Sequence, residues 1–471
     1  MTMLRICFYF LVASIAGQAM ADQPAKRAVD LIVYGDHVIT MQAGDRPFRD
    51  GAVAVSNGAI VSVGPAAEID SKFSAAKKLD GTNKVLMPGL INGHTHSSMV
   101  LFRGMADDLP LMTWLQDYIF PMEGRYVNPA LVSAGTRLAC WEMIRGGTTS
   151  FVDMYFYPDV IADVAVDCGL RAVVAAPMID FPSPGFAGWD DSFAEGVAFA
   201  RRWKGKHPRI TPALAPHAPY TVSRPHLEAA FKAARSLGVP VSIHVAEDRA
   251  EVDVVRDKYD ITSIELLAGL GMLEQPTVAA HLVWPSDADI AKLAGSKVGA
   301  VHNPTSNMKT GAGFAPVPKM LAAGVNVGLG TDGAASNNDL DLWQEMRLAA
   351  LIHKGNSNDP TLVSAEQAVD MATRMGARAA GLGDKVGVLQ SGRRADMIQV
   401  SLASPRFAPL YNIMSHLVYI AKSGDVVTSI VDGQVLMENG EVATVDIGAV
   451  RADISIIAAK IKADLKNRRT E

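Results

Sequence analysis

His94-Thr-His96, His244-Val-Ala-Glu247, His281 and Asp332 are the residues of this chain whose types and spacing can do chemistry together. Side chains two apart on a strand point the same way, so His94 and His96 can aim two imidazoles at one point. Imidazole is the commonest biological ligand for a borderline metal. A lone His-x-His reads equally as two surface histidines in a turn. Here a continuous apolar run, Val85-Leu-Met-Pro-Gly-Leu-Ile, leads into the pair, which suits a strand buried on both faces. With His244 and Asp332 the pair supplies three nitrogens and one oxygen, a set suited to Zn²⁺ or Fe²⁺.

A catalytic ion of this kind keeps a position open for water, and water bound there ionises near neutrality. Asp332, beside ion and water, is placed to accept the water proton. Glu247, three residues past His244, is placed to carry a proton to the substrate, and His281 to orient the attacking oxygen. Protonation of a ring nitrogen while hydroxide attacks the adjacent carbon makes a tetrahedral centre, from which an amine leaves as ammonia. Taken singly, Glu247 reads as a solvated strand-end carboxylate and Asp332, near Gly330 and Gly333, as a turn residue.

Such residues need a scaffold that gathers strand ends. Apolar strand candidates recur at 85–96, 148–154, 172–178, 210–217, 239–247, 277–283, 298–303 and 325–332, with helical patterns at 130–145, 159–167, 192–204, 224–237, 261–268 and 287–293. Eight βα units over roughly 300 residues predict a (β/α)8 TIM-like barrel, whose active site lies where the strands end. An open doubly wound sheet is the alternative, but it usually carries a Gly-rich phosphate loop after its first strand, and none is seen. His94, His96, His217, His244, Glu247, His281 and Asp332 all fall at predicted strand ends. His302 does too, with orientation of the loop Asn303-Pro-Thr-Ser-Asn307 as its plainer role. His37, His207, His226, His353 and His416 fall in turns or helices.

Both ends of the chain have a different texture. Asp30-Leu-Ile-Val-Tyr and His37-Val-Ile-Thr-Met flank Gly35-Asp36, a strand–turn–strand pattern, and Asn57-Gly58 marks a hairpin. Near the other end, Asp396-Met-Ile-Gln-Val, Val426-Val-Thr-Ser-Ile-Val and Gln434-Val-Leu-Met are short strands. We expect a small β-sandwich domain formed by both termini, from 22–86 and 386–445, around a barrel at 87–385, with a terminal helix within 446–471.

The first 21 residues fit neither part. Arg5 precedes an almost wholly apolar stretch to Gly17, followed by Gln18-Ala-Met-Ala21. This predicts a secretory signal cleaved after Ala21, too short in its apolar part to span a membrane, and hence an exported protein. A mis-started N-terminus on a cytoplasmic chain is the alternative. Cys140 and Cys168 remain, too few for a disulfide framework, and two buried free thiols are expected. Of 471 residues 49% are apolar and 20% charged, with a formal charge of −5, so no nucleic-acid footprint is visible.

The phrases Pro88-Gly-Leu-Ile-Asn-Gly-His94-Thr-His96, Ser242-Ile-His244-Val-Ala-Glu247, Ala280-His281 and Gly330-Thr-Asp332-Gly-Ala-Ala-Ser-Asn337 resemble the amidohydrolase superfamily. So does Arg103-Gly-Met-Ala-Asp-Asp-Leu-Pro-Leu-Met-Thr-Trp114-Leu, which narrows the resemblance to metal-dependent deaminases of 5′-methylthioadenosine and S-adenosylhomocysteine type. The resemblance runs from about Asp30 to Gly440. It implies His94, His96, His244 and Asp332 as ligands of one divalent ion per subunit, zinc first and iron as the alternative. It implies Glu247 as proton shuttle and His281 as partner of the bound water. Glu123, in Phe120-Pro-Met-Glu123, matches the acceptor for ribose hydroxyls, and His217, in Ala215-Pro-His217-Ala-Pro-Tyr220, a second substrate contact. Trp114 and Phe181 are pocket walls or core. The 210–217 stretch holds no lysine to bridge a second metal, which supports one ion. The implied reaction is hydrolytic deamination of an adenine nucleoside derivative. The alternative substrate is another amino- or halo-substituted heterocycle of triazine, guanine or pterin type. By analogy, members are often homo-oligomers.

Overall fold

The computed structural model of this protein describes residues 25–468. The expected signal at 1–21 lies outside them. Strands Arg27–Val38, Phe48–Ser56, Ala59–Pro65, Phe73–Leu79 and Lys84–Pro88 join Met397–Ser401, Val426–Val431, Gln434–Glu438 and Glu441–Val442 in one nine-stranded sheet. The two ends of the chain meet where Lys84–Pro88 runs antiparallel to Met397–Ser401, with Met397 opposite Pro88. Period-two alternation gives the sheet two apolar faces. Leu31, Val33, Val53 and Val55 pack on one side, and Ile32, Ala52 and Ala54 on the other. Tight hairpins at Asn57-Gly58 and Asp432-Gly433 set Ser56 opposite Ala59 and Val431 opposite Gln434.

Two stretches differ from the sequence reading. Arg27–Val38 is one strand of 12 residues, with no turn at Gly35-Asp36. It changes partner there, pairing with Phe73–Leu79 up to Val33 and with Lys84–Pro88 from His37. A Cβ on Gly35 would stand 2.8 Å from the Cβ of Leu86, so the glycine serves a close approach rather than a turn. The apolar run leading to His94 is likewise two strands. Lys84–Pro88 belongs to the terminal sheet, and Leu90–Thr95 begins the barrel. Between them a Cβ on Gly89 would meet Thr149 at 2.1 Å.

The barrel strands are Leu90–Thr95, Thr148–Met154, Arg171–Ala175 with Pro177–Met178, Ile210–Pro212 with Ala215–Pro216, Val241–Val245, Thr277–His281, Val298–His302 and Asn326–Leu329. They pair in parallel as two arcs, the first four strands and the last four. On one side the arcs are joined by the N–H of Leu214 on Pro240 O at 3.0 Å and that of Ser242 on Leu214 O at 2.9 Å. On the other, the Asp332 N–H donates to His94 O at 2.9 Å, and the Asn92 and Thr331 side chains bond at 2.8 Å. The result is a (β/α)8 barrel.

Helices Pro129–Arg145, Pro158–Cys168, Trp189–Trp203, Arg224–Leu237, Ser263–Gly269 and Asp287–Leu293 lie close to the predicted segments. Asn128 accepts from the N–H groups of Ala130 and Leu131 at the first of these, and Ser286 with Asp289 forms a capping box at the last. The helix Arg249–Tyr259 is missing from the sequence reading: its apolar stripe is short, Val252, Val255 and Tyr259, among mostly charged residues. Cys140 and Cys168 are buried free thiols.

After the first barrel strand, Ser97–Phe102, Leu111–Thr113, Trp114–Ile119 and Phe120–Tyr126 form short helical turns. The terminal helix Ile447–Arg468 packs on Pro129–Arg145 and reaches Phe120–Tyr126, where Asp464 bonds Arg125 at 2.7 Å and Tyr126. No helix among the described residues is long and apolar enough to cross a membrane.

Candidate active site

His94, His96, His244 and Asp332 come from the first, fifth and eighth strands and converge at the C-terminal end of the barrel. His244 Nε2 stands 3.2 Å from His94 Nε2 and 3.3 Å from His96 Nε2. Asp332 Oδ1 stands 3.3 and 3.2 Å from the same two nitrogens. A four-membered ring of such separations has a centre about 2.0–2.3 Å from every atom, depending on its pucker, which spans zinc–nitrogen and zinc–oxygen distances. The donor atoms therefore fit one divalent metal.

Outer contacts fix each ligand's orientation, as metal sites require. His96 Nδ1 lies 2.6 Å from the Met154 carbonyl and His244 Nδ1 2.9 Å from the His217 carbonyl, so both rings carry hydrogen on Nδ1 and present Nε2 bare. Ser306 and Ser336 donate to Asp332 Oδ2 at 2.7 and 2.8 Å, which turns Oδ1 to the histidines. Asp332 sits at φ +63°, a left-handed conformation that bends it in from the strand end. Burial pushes its carboxyl up, but the hydrogen bonds with His94 and His96 outweigh this and hold it well below the usual range.

Glu247 and His281 stand beside this centre, His281 Nε2 3.7 Å from Glu247 Oε1. His281 Nδ1 faces Asn307 Oδ1 at 2.8 Å, so its hydrogen lies there and Nε2 is left as an acceptor. Burial pushes the Glu247 carboxyl above the usual carboxylate range.

A cavity opens over these groups, lined by His96, His217, His244, Glu247, His281 and Asp332 on its polar side. Met99, Leu111, Trp114, Leu115, Ile119, Phe120, Met154, Phe156 and Ile179 supply apolar wall. Such a mix of apolar wall and few convergent polar groups suits a small heterocycle. Glu123 faces the same cavity and accepts a hydrogen bond from Tyr155 at 2.8 Å. Burial pushes it up to about 7, against that bond. His217 Nδ1 bonds Thr221 Oγ1 at 2.9 Å, and Thr221 donates onward to Ala218 O, so the ring's Nε2 is an acceptor. Burial first, then His96 and His94, lower its pKa to about 3 and keep it neutral.

All eight residues singled out from sequence thus share one site. Trp114 walls it, whereas Phe181 is exposed, does not line the cavity, and meets Phe120 in a tilted ring contact with centroids 5.7 Å apart. His302 is buried against His353 and does not line the cavity. Sequence reasoning missed Ser306, Ser336, Asn307 and Tyr155. It also missed Glu345, which accepts from Asn337 Nδ2 at 2.8 Å and the Thr305 N–H at 3.1 Å. Glu345 therefore ties the loop that holds His281 to the loop that holds Asp332. Its place in the first turn of the helix Leu342–Ser357, where an acid is ordinary, gave no signal of this role.

The profile of the Amidohydrolase family matches residues 85–436, and the chain belongs to that family. It is 45% identical over 433 residues to a 5-methylthioadenosine/S-adenosylhomocysteine deaminase of Syntrophobacter fumaroxidans, covering 92% of this chain and 98% of that one. It is 43% identical to a 5′-deoxyadenosine deaminase of Methanosarcina acetivorans, over 88% of this chain and 95% of the other. Among solved structures, an adenosine deaminase from Xanthomonas campestris with bound zinc superposes with a TM-score of 0.91 at 38% identity, covering 93% of this chain and all of that one.

Proposed function

We propose that this chain is a hydrolytic deaminase of adenine nucleoside derivatives of the 5′-methylthioadenosine/S-adenosylhomocysteine type. The observation that carries this is one cavity in which a four-donor metal centre, Glu247 and Glu123 face a common apolar wall. The named activities of the relatives support the same substrate class. Three imidazole nitrogens and one carboxylate oxygen favour zinc, one per chain.

His94, His96, His244 and Asp332 would hold the divalent ion, which would supply a water of lowered pKa. The protein's own groups do the rest. Asp332 takes the proton that the water gives up, and His281 Nε2 accepts a hydrogen bond from the attacking oxygen. Glu247, when protonated, gives its proton to the ring nitrogen next to the reacting carbon. It takes up the proton that the added hydroxyl releases as the carbonyl forms and passes it to the departing amine, and the proton on Asp332 then returns to Glu247. One carbon–oxygen bond forms, one carbon–nitrogen bond breaks, and ammonia leaves. Glu123 and the neutral His217 accept hydrogen bonds from ribose hydroxyls, while Trp114 and Phe120 cover the apolar part of the substrate.

Ammonia release from methylthioadenosine, 5′-deoxyadenosine, S-adenosylhomocysteine, adenosine, guanine and aminotriazines, with metal analysis of the same sample, tests this reading. Turnover confined to the purine nucleosides supports it, and turnover of the triazines alone refutes it. Export through residues 1–21 is part of the same proposal. The N-terminal mass of exported protein should begin at Asp22, and a start at Met1 would rule out cleavage.

A further inference from the structure

We propose that Glu251 is a positioning residue for Glu247: its buried carboxylate takes the backbone N–H groups of Ala246 and Glu247 and so fixes the angle at which Glu247 enters the cavity. The inference rests on the reading of Glu247 as proton carrier. Glu251 Oε2 accepts from the Glu247 N–H at 2.7 Å and Oε1 from the Ala246 N–H at 2.9 Å. Ser263 Oγ adds a weaker bond to Oε1 at 3.3 Å. The residue is 2% exposed, does not line the cavity, and has no lysine or arginine partner among the described residues.

Glu251 sits in the first turn of the helix Arg249–Tyr259, where a glutamate usually closes a capping box on the N–H of the N-cap residue. Here the N-cap is Asp248, whose own side chain accepts from the Ala250 N–H at 2.8 Å. Glu251 reaches past Asp248 to the two residues before it. Capping the helix does not need that reach, but holding the preceding turn does. Ala246 stands at φ +50°, a conformation disfavoured for any residue with a Cβ. Its carbonyl is taken from the other side, by the N–H groups of Val283 and Trp284 at 2.9 and 3.0 Å. Both peptide units around Ala246 are therefore pinned, and this kink turns the chain from the strand that carries His244 to the residue that carries the proton. Burial pushes the Glu251 carboxyl up to about 7 against its backbone bonds, so the acid is kept here despite an unfavourable setting.

Glu251→Gln keeps the shape but puts an NH₂ against one of the two N–H donors. The expected result is a fall in kcat of about 10- to 100-fold, the scale of a small misplacement of a reacting group, with KM and metal content unchanged. Amide hydrogen exchange at Ala246 and Glu247 should quicken. In the Glu247→Gln background the added E251Q should cost nothing further, since a residue acting through Glu247 has nothing left to position. An undiminished loss in that background, or unchanged exchange at the two amides, overturns the proposal. Full activity of E247Q alone would sink the proton-carrier reading and the proposal with it. If E251Q does not fold, Glu251→Asp, which withdraws both oxygens by one methylene, is read by the same measurements.

Discussion

His217 and His244 are joined through the backbone of one and the ring of the other: the His217 carbonyl accepts Nδ1 of His244 at 2.9 Å, while the His217 ring faces the cavity. One residue thus holds the His244 ring with its peptide and turns its own side chain to the cavity. His217→Ala should keep the carbonyl in place and therefore keep the metal. It should raise KM about 10-fold, the worth of one hydrogen bond to substrate. Metal analysis beside steady-state kinetics checks this, and loss of metal in the variant would contradict it.

His94→Ala removes a ligand whose Nε2 is within 3.3 Å of both His244 Nε2 and Asp332 Oδ1. The variant should lose bound metal and activity together. An activity assay at rising metal concentration would reveal any recovery, and full metal content in the isolated variant would remove His94 from the ligand set.

Glu247→Gln keeps the volume and polarity of the side chain but cannot carry a proton. Metal content should match the parent, and kcat should fall by about 100- to 10,000-fold. Retained turnover would leave the proton transfers without a carrier.

Glu123 lies on the cavity wall, with Tyr155 as its only side-chain hydrogen-bond partner among the described residues. Glu123→Gln should weaken binding of nucleosides through their ribose hydroxyls by about 10- to 100-fold. Analogues lacking those hydroxyls should be affected much less. Equal losses for both kinds of substrate would place Glu123 elsewhere in the reaction.

Glu345 makes stability depend on pH. Burial pushes its carboxyl from the ordinary 4.5 up to about 8. Between those values the unfolded chain has lost the proton and the folded chain still holds it. This group's contribution is thus fully present below pH 4.5 and is lost as pH rises towards 8. Glu345→Gln removes that titration, so the stability of the variant relative to the parent should increase from pH 5 to pH 8, by a few kcal/mol at most (about 1.4 kcal/mol per pKa unit). Urea unfolding of both proteins across that range decides it. Parallel curves would mean that Glu345 does not titrate there.

The metal ligands were readable because each sits at the end of an apolar strand, and a barrel brings such ends together. Glu123 and His217 were readable only through the resemblance, since neither has a local pattern of its own. The supporting residues were not. Ser306, Asn307 and Glu345 act on residues 26 or more positions away, or on a loop 40 away, and no periodicity records such pairs. The same limit explains the two misjudged strands. Gly35 looks like a turn residue and Gly89 like part of one continuous strand, and only the neighbouring Leu86 and Thr149 show that each lets another chain segment come close.

The contact between Asp464 and the Arg125–Tyr126 end of the cavity-wall helix ties the pocket to the helix Ile447–Arg468, far along the chain. During synthesis the metal ligands and both substrate-facing carboxylates emerge well before that brace exists. The pocket therefore acquires this brace only after the helix Ile447–Arg468 has been made, and a frameshift or premature stop within that helix yields a barrel whose His94, His96, His244 and Asp332 are all encoded but whose pocket lacks the brace.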